Sequence, residues 1–250
     1  MRGYILWRLA GLVPTALVIV VASFALVRLA PGNPFASERE IPPQVRAALD
    51  AKYGFDRPLP EQFVRYLGNL LQGDLGLSTK YPQRSVNEII AAGFPVTLSL
   101  AAVALVWSLM VGITAGIIGA VRQNTVWDHA AMAAALVGIS IPSFVLGPVL
   151  VLVVSLRWQL LPPAGWGDWR HVIIPGLTLG TIYAASIARL TRGGMLEVVR
   201  SDFIRTARAK GLPERLVIWR HMLKGGLLPV VSYLGPAIAS MLTGSVVVEK

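Results

Sequence analysis

Residues 94–121 read FPVTLSLAAVALVWSLMVGITAGIIGAV, without one charged side chain. About 20 mainly apolar residues in an α-helix cross the roughly 30 Å hydrocarbon core of a bilayer, so this run reads as a transmembrane helix with length to spare. Gly112 and Gly116 lie one helical turn apart, a spacing that lets a neighbouring backbone come close. Working outward, residues 9–27, 130–156, 172–188 and 230–248 form further apolar runs of spanning length. The fold class predicted is therefore all-α, a polytopic transmembrane helical bundle with five spans.

Composition agrees. The chain is 54% hydrophobic and only 14% charged, against roughly 25% charged for an average soluble domain. Its net charge of +10 does not call for a nucleic-acid partner, because many of the bases flank apolar spans, where orientation in the membrane accounts for them. The absence of cysteine excludes disulfides, thiolate metal sites and cysteine nucleophiles. Arg2 and Arg8 precede the first apolar run as they would in a signal peptide. That run exceeds the roughly 7–15 residues of a signal core and no small-x-small cleavage site follows, so an uncleaved first helix is expected.

The flanks give an orientation. Arg2, Arg8, Arg122 and the bases from Arg189 to Lys224 belong on the cytoplasmic side under the positive-inside rule, placing the N-terminus inside. Residues 30–93 balance bases with acids and are expected outside, as are residues 157–171 with Trp158, Trp166 and Trp169 at headgroup depth. The organisation read from this is an N-terminus and first span (1–29), an external helical segment (30–93) and a transmembrane core (94–250) carrying a cytoplasmic loop at 189–229. In the external segment, residues 43–53 and 60–72 read as helices ended by Gly54 and Gly73, and Ser85-Val-Asn-Glu88 matches a capping box.

The basic loop is more than a tether. Leu196, Val199, Phe203 and Ala207 fall at steps of three and four, predicting one apolar stripe on a helix. Gly211 stands where a left-handed C-cap belongs, and Pro213 can open the next helix. Two short helices joined by a Gly-Leu-Pro turn follow: either a rigid knob for a partner or an amphipathic hairpin on anionic lipid. Catalytic chemistry is missing. There is no G-x-x-x-x-G-K-[ST] phosphate loop, no H-E-x-x-H and no G-x-S-x-G. The spans are nearly free of ionisable groups, unlike those of proton-driven carriers. Polar residues near helix breakers, Ser140, Ser143, Ser232, Tyr233, Ser240 and Thr243, are pathway candidates beside the plainer role of packing.

Six motifs carry a family resemblance: Arg28-Leu-Ala-Pro-Gly-Asn-Pro34, Gly73-Asp-Leu-Gly76, Gln123-Asn-Thr-Val-Trp-Asp128, Ile141-Pro-Ser-Phe144, Ile187-Ala-Arg-Leu-Thr-Arg-Gly193 and Phe203-Ile-Arg-Thr-Ala-Arg-Ala-Lys-Gly-Leu-Pro213. Along its whole length the chain resembles the membrane-spanning subunits of bacterial binding-protein-dependent ABC importers, in the dipeptide/oligopeptide permease group, with the B-type oligopeptide subunits the nearest pattern. The last motif is similar to that family's EAA loop. Arg205-Thr206-Ala207 replaces Glu-Ala-Ala, Gly211 is the family glycine, and Leu228-Pro229 supplies the later Leu-Pro.

The resemblance implies an ATPase-coupling set of Phe203, Arg205, Thr206, Ala207, Arg208, Ala209, Lys210, Gly211 and Leu212. It implies a second homologous permease subunit, two cytoplasmic ATPase subunits that hold ATP and Mg, and an external solute-binding protein, in the bacterial inner membrane. This chain is expected to bind no cofactor or metal and to catalyse nothing by itself. The expected cargo is oligopeptide, with dipeptides, glutathione-like peptides and nickel chelates as alternatives; a membrane scaffold is the reading without transport. The family pattern also has a sixth span beyond Glu249, so five are expected here.

Overall fold

The computed structural model describes residues 2–29, 57–78, 81 and 84–243. Among these, every regular element is helical, and the one β feature is an isolated antiparallel bridge between Leu77 and Ser85. Two compact units divide between Ala92 and Gly93.

In the first unit, α1 (Arg2–Leu29) and α2 (Leu59–Leu71) meet through rings, with Phe24 5.2 Å from Phe63 and 5.8 Å from Tyr66. Pro60 lies in the first turn of α2, where a missing N–H costs nothing. The helix ends in a Schellman turn: the Asp74 N–H reaches the Asn69 carbonyl at 2.9 Å and the Gly73 N–H that of Leu70 at 3.0 Å, with Gly73 at φ +78. Eleven residues on, the expected capping box is formed. The Glu88 N–H donates to Ser85 Oγ at 3.1 Å and the Ser85 N–H to Glu88 Oε2 at 3.2 Å, which starts α3 (Val86–Val121). Asn87 ties this helix start to the preceding turn by donating to the Gly73 carbonyl and accepting the Leu75 N–H. The helix expected at residues 43–53 lies outside the described residues.

The second unit contains the rest of α3, then α4 (Val126–Ser140), α5 (Ser143–Arg157), α6 (Arg170–Val199), α7 (Asp202–Ala209), α8 (Glu214–Gly226) and α9 (Leu228–Thr243). Helices α3 and α6 interlock through glycine at both ends of their contact. A Cβ on Gly180 would stand 2.5 Å from the Ala104 carbonyl oxygen, and one on Gly112 2.6 Å from that of Ala184. Gly116 makes room for Thr191 and Ala188 in the same way. Small residues let the backbones meet where lipid offers no hydrophobic driving force between helices.

Among the described residues, three helices are long and apolar enough to cross a bilayer, and up to five spans result if each bent pair counts as one. The large apolar side chains left outside, among them Val106 at 57% exposed, Met110 at 63% and Leu136 at 55%, suit hydrocarbon and not water.

The structure corrects three expectations. The run at 130–156 is not one rod: α4 and α5 bend by 103°, because Pro142 stands extended at φ −60, ψ 142 and proline biases the residue before it away from the helix. The run at 172–188 does not stop at the first bases, since α6 continues to Val199 and carries Arg189 and Arg192 on its last turns. The stripe through Leu196, Val199, Phe203 and Ala207 is broken as well. Helix ends fall at Val199 and Asp202, so the phase resets, and Ile204 is buried in place of Phe203, which is exposed.

Candidate functional site

Helices α7 and α8 form the expected hairpin. The acid Asp202 opens α7 and Arg208 closes it, each at the end where the helix dipole favours its charge. Past Lys210 the chain turns left-handed at Gly211 (φ +76). The Leu212 N–H reaches the Ala207 carbonyl at 3.4 Å and the Gly211 N–H that of Arg208 at 2.9 Å, another Schellman turn. Pro213 then starts α8, its carbonyl accepting the Leu216 N–H at 2.8 Å. Arg208 spans the two arms, donating from Nε and Nη2 to Glu214 at 3.1 and 2.5 Å. That carboxylate raises the pKa of the guanidinium above its already high value.

The hairpin's inner face is a core. Ile204, Ala207, Val217 and Met222 are buried together with Met195 of α6 and Ala120 of α3, and Leu212 packs against them. Fully burying a side chain such as Ile204 contributes roughly 1.5–3 kcal/mol, enough to seat a short helix that propensity alone would not hold. Gly194 and Gly226 allow the closest approach, the Gly226 carbonyl lying where a Cβ on Gly194 would be. Val217–Met222 forms a π turn, whose extra residue per turn puts Val217 and Met222, five residues apart, on the same buried face. Of the predicted coupling set, Ala207 faces inward and Leu212 is half-buried. Phe203, Arg205, Thr206, Arg208, Ala209, Lys210 and Gly211 are exposed.

The pathway candidates do not gather. Ser140 and Ser143 flank the α4–α5 bend, and Ser143 lines a cavity of about 620 Å³ between α3, α5 and α6. Ser140, Ser232 and Thr243 are exposed and give their hydroxyls to their own helix backbone, at 2.9, 3.1 and 2.9 Å. On α9, Tyr233 is half-buried and Ser240 is exposed.

One contact was not read from the sequence, although both of its partners stand in the quoted motifs. Asp128, in the first turn of α4, is 1% exposed and takes Arg192 Nε on Oδ1 and Nη2 on Oδ2, both at 2.7 Å. Among the described residues, no group of three or more His, Cys, Asp or Glu could hold a metal ion.

Comparison with known proteins follows the same outline. Residues 112–250 match the model of the family described as binding-protein-dependent transport system inner membrane component. The chain is 48% identical to the oligopeptide transport system permease protein OppB of Salmonella typhimurium, over 251 residues covering 100% of this chain and 82% of that protein. It is 41% identical to the dipeptide transport system permease protein DppB of Bacillus subtilis, covering 100% of this chain and 81% of that one. It is also 41% identical to the glutathione transport system permease protein GsiC of Pectobacterium atrosepticum, at 100% and 82% coverage. Spanning helices throughout the described residues, a basic hairpin seated on α3 and α6 and similarity over the full chain lead to one conclusion: the protein belongs to the binding-protein-dependent transport system inner membrane components, the permease subunits of ABC importers.

Proposed function

We propose that this permease forms half of the pathway of an ATP-driven importer of oligopeptides, received from an external binding protein, with α7 seated in a cytoplasmic ATPase subunit. The observation that carries the coupling role is the hairpin's two-sidedness. Ile204, Ala207, Val217 and Met222 lock it to α3 and α6, while Phe203, Arg205, Thr206 and Lys210 face outward on a helix closed by a formed C-cap. Oligopeptide is favoured as cargo because OppB stands at 48% identity, against 41% for the dipeptide and glutathione permeases. The full assembly would contain a second homologous permease and two ATPases carrying ATP and Mg. In vesicles reconstituted with that complex, labelled oligopeptide should accumulate only with ATP and binding protein present. Undiminished uptake without binding protein, or without ATP, overturns the proposal.

The hairpin itself is tested at Gly211. A Cβ there meets nothing within 4 Å, so Gly211→Val strains the backbone alone, by about 1–2 kcal/mol. The variant should insert normally but assemble poorly with its ATPase, or hydrolyse ATP without uptake. Normal uptake at normal expression would make the hairpin a lipid-facing element. Arg208→Glu is a poorer probe, since it also sets two carboxylates against each other across the hairpin.

The N-terminus and the hairpin would face the cytoplasm and α2 the periplasm. The chain has no cysteine, so single cysteines at the exposed Gln72 and Lys224 report this directly in intact cells. An impermeant thiol reagent should label Gln72→Cys alone; labelling of Lys224→Cys alone reverses the topology.

A further inference from the structure

The Asp128–Arg192 pair has a geometry beyond that of a surface ion pair. The two residues are 64 positions apart and bring the first turn of α4 against the last turns of α6. Both carboxylate oxygens are occupied, Oδ2 also accepting the Asn124 N–H at 2.9 Å, which closes the α3–α4 turn. Helix α3 contributes space: a Cβ on Gly119 would lie 3.0 Å from both Arg192 Cδ and Asp128 Oδ1. Three helices therefore converge on one bidentate contact, whose fork fixes direction as well as distance.

Its neighbours connect it to the hairpin. Ala120 follows Gly119, and Gly194 and Met195 follow Arg192. Ala120 and Met195 are the α3 and α6 members of the core that seats Ile204, Ala207, Val217 and Met222. A displacement of the hairpin thus acts on α6 within one turn of Arg192, and the pair is a direct polar tie from there to α4 and the Pro142 bend. Apolar contact would resist separation of these helices but would let them slide; a bidentate pair resists both.

We infer that Asp128 and Arg192 are positioning residues that transmit hairpin movement to the α4–α5 arm. This rests on the coupling role proposed above. The test uses the assembled importer with Arg192→Lys, which keeps the charge and loses the fork, and Asp128→Asn, which keeps the shape and loses the charge. Two readouts are taken: oligopeptide uptake per ATP hydrolysed, and the distance between spin labels at Lys224→Cys on α8 and Leu136→Cys on α4, with and without trapped nucleotide. With the pair intact the distance should stay narrow through the cycle. In both variants it should broaden, and uptake per ATP should fall roughly tenfold, within the usual range of coupling between sites, while hydrolysis persists. Unchanged uptake per ATP together with an unchanged distance in an assembled variant overturns the inference. An unmodified complex that shows no ATP-dependent uptake overturns the proposed function instead. The distance in the permease alone, with and without the variants, then decides the mechanical link, a narrow distribution in both variants counting against it.

Discussion

Gly180→Leu is expected to abolish recovery of the folded chain. The new Cβ would stand 2.5 Å from the Ala104 carbonyl oxygen and 3.0 Å from its Cα. Both are backbone atoms of a residue with no exposure, so no rotamer change relieves the clash. Overpacking commonly costs about 1–3 kcal/mol where neighbouring side chains can adjust. Here α3 and α6 must separate, which also undoes the fit of Gly176 on Val103 and of Gly112 on Ile187. Gly193→Leu is the control on the same helix, exposed and with nothing within 4 Å of its Cβ. Size-exclusion yield after detergent extraction should be normal for Gly193→Leu and near background for Gly180→Leu. Equal yields would mean that the two helices do not meet as described.

Arg192→Ala should be strongly destabilising. It leaves the Asp128 carboxylate, 1% exposed, without its counter-ion. Breaking a buried pair from one side costs about 3–5 kcal/mol, far more than the pair contributes when intact. The Arg192 side chain is 28% exposed, so water partly compensates and the lower end, on the order of 3 kcal/mol, is expected. Thermal unfolding in detergent should show a midpoint lowered by on the order of 10 °C. Arg189→Ala, an exposed base one turn away, should change it little. Adding Asp128→Asn to Arg192→Ala should recover part of the loss by removing the stranded charge. A midpoint matching that of Arg189→Ala would show that the pair does not form in solution.

The helical bundle was legible because lipid forces every spanning backbone to satisfy itself, and uncharged runs such as 94–121 mark where that happens. Caps were legible because they are local: Ser85 with Glu88, Gly73 and Gly211 each act within a few residues. What the sequence hid was relational. Arg192 looked like the flank of a span, since nothing in its neighbourhood pointed to an acid 64 residues earlier. The stripe through Phe203 assumed one helix across Arg200 and Ser201, and a single break was enough to exchange Phe203 for Ile204 on the buried face. Pro142 was recognised as a breaker, but proline alone does not say whether a helix kinks gently or turns by 103°. The polar pathway candidates stayed scattered because a hydroxyl in a span is equally satisfied by its own helix, as Ser140, Ser232 and Thr243 are.

The π turn at Val217–Met222 gives α8 a tolerance for length. Such a turn accommodates one residue more than an α turn, so dropping a residue between Val217 and Met222 would bring them from five apart to four. Both would remain on the same side of a regular helix. The helices on either side would keep their facing, and α9 would enter the bilayer unrotated. Loop lengths are the usual place for a chain to gain or lose a residue; here the seam lies inside a packed helix. Relatives can therefore differ by one residue at this point without losing either the hairpin's seat or the span that follows it.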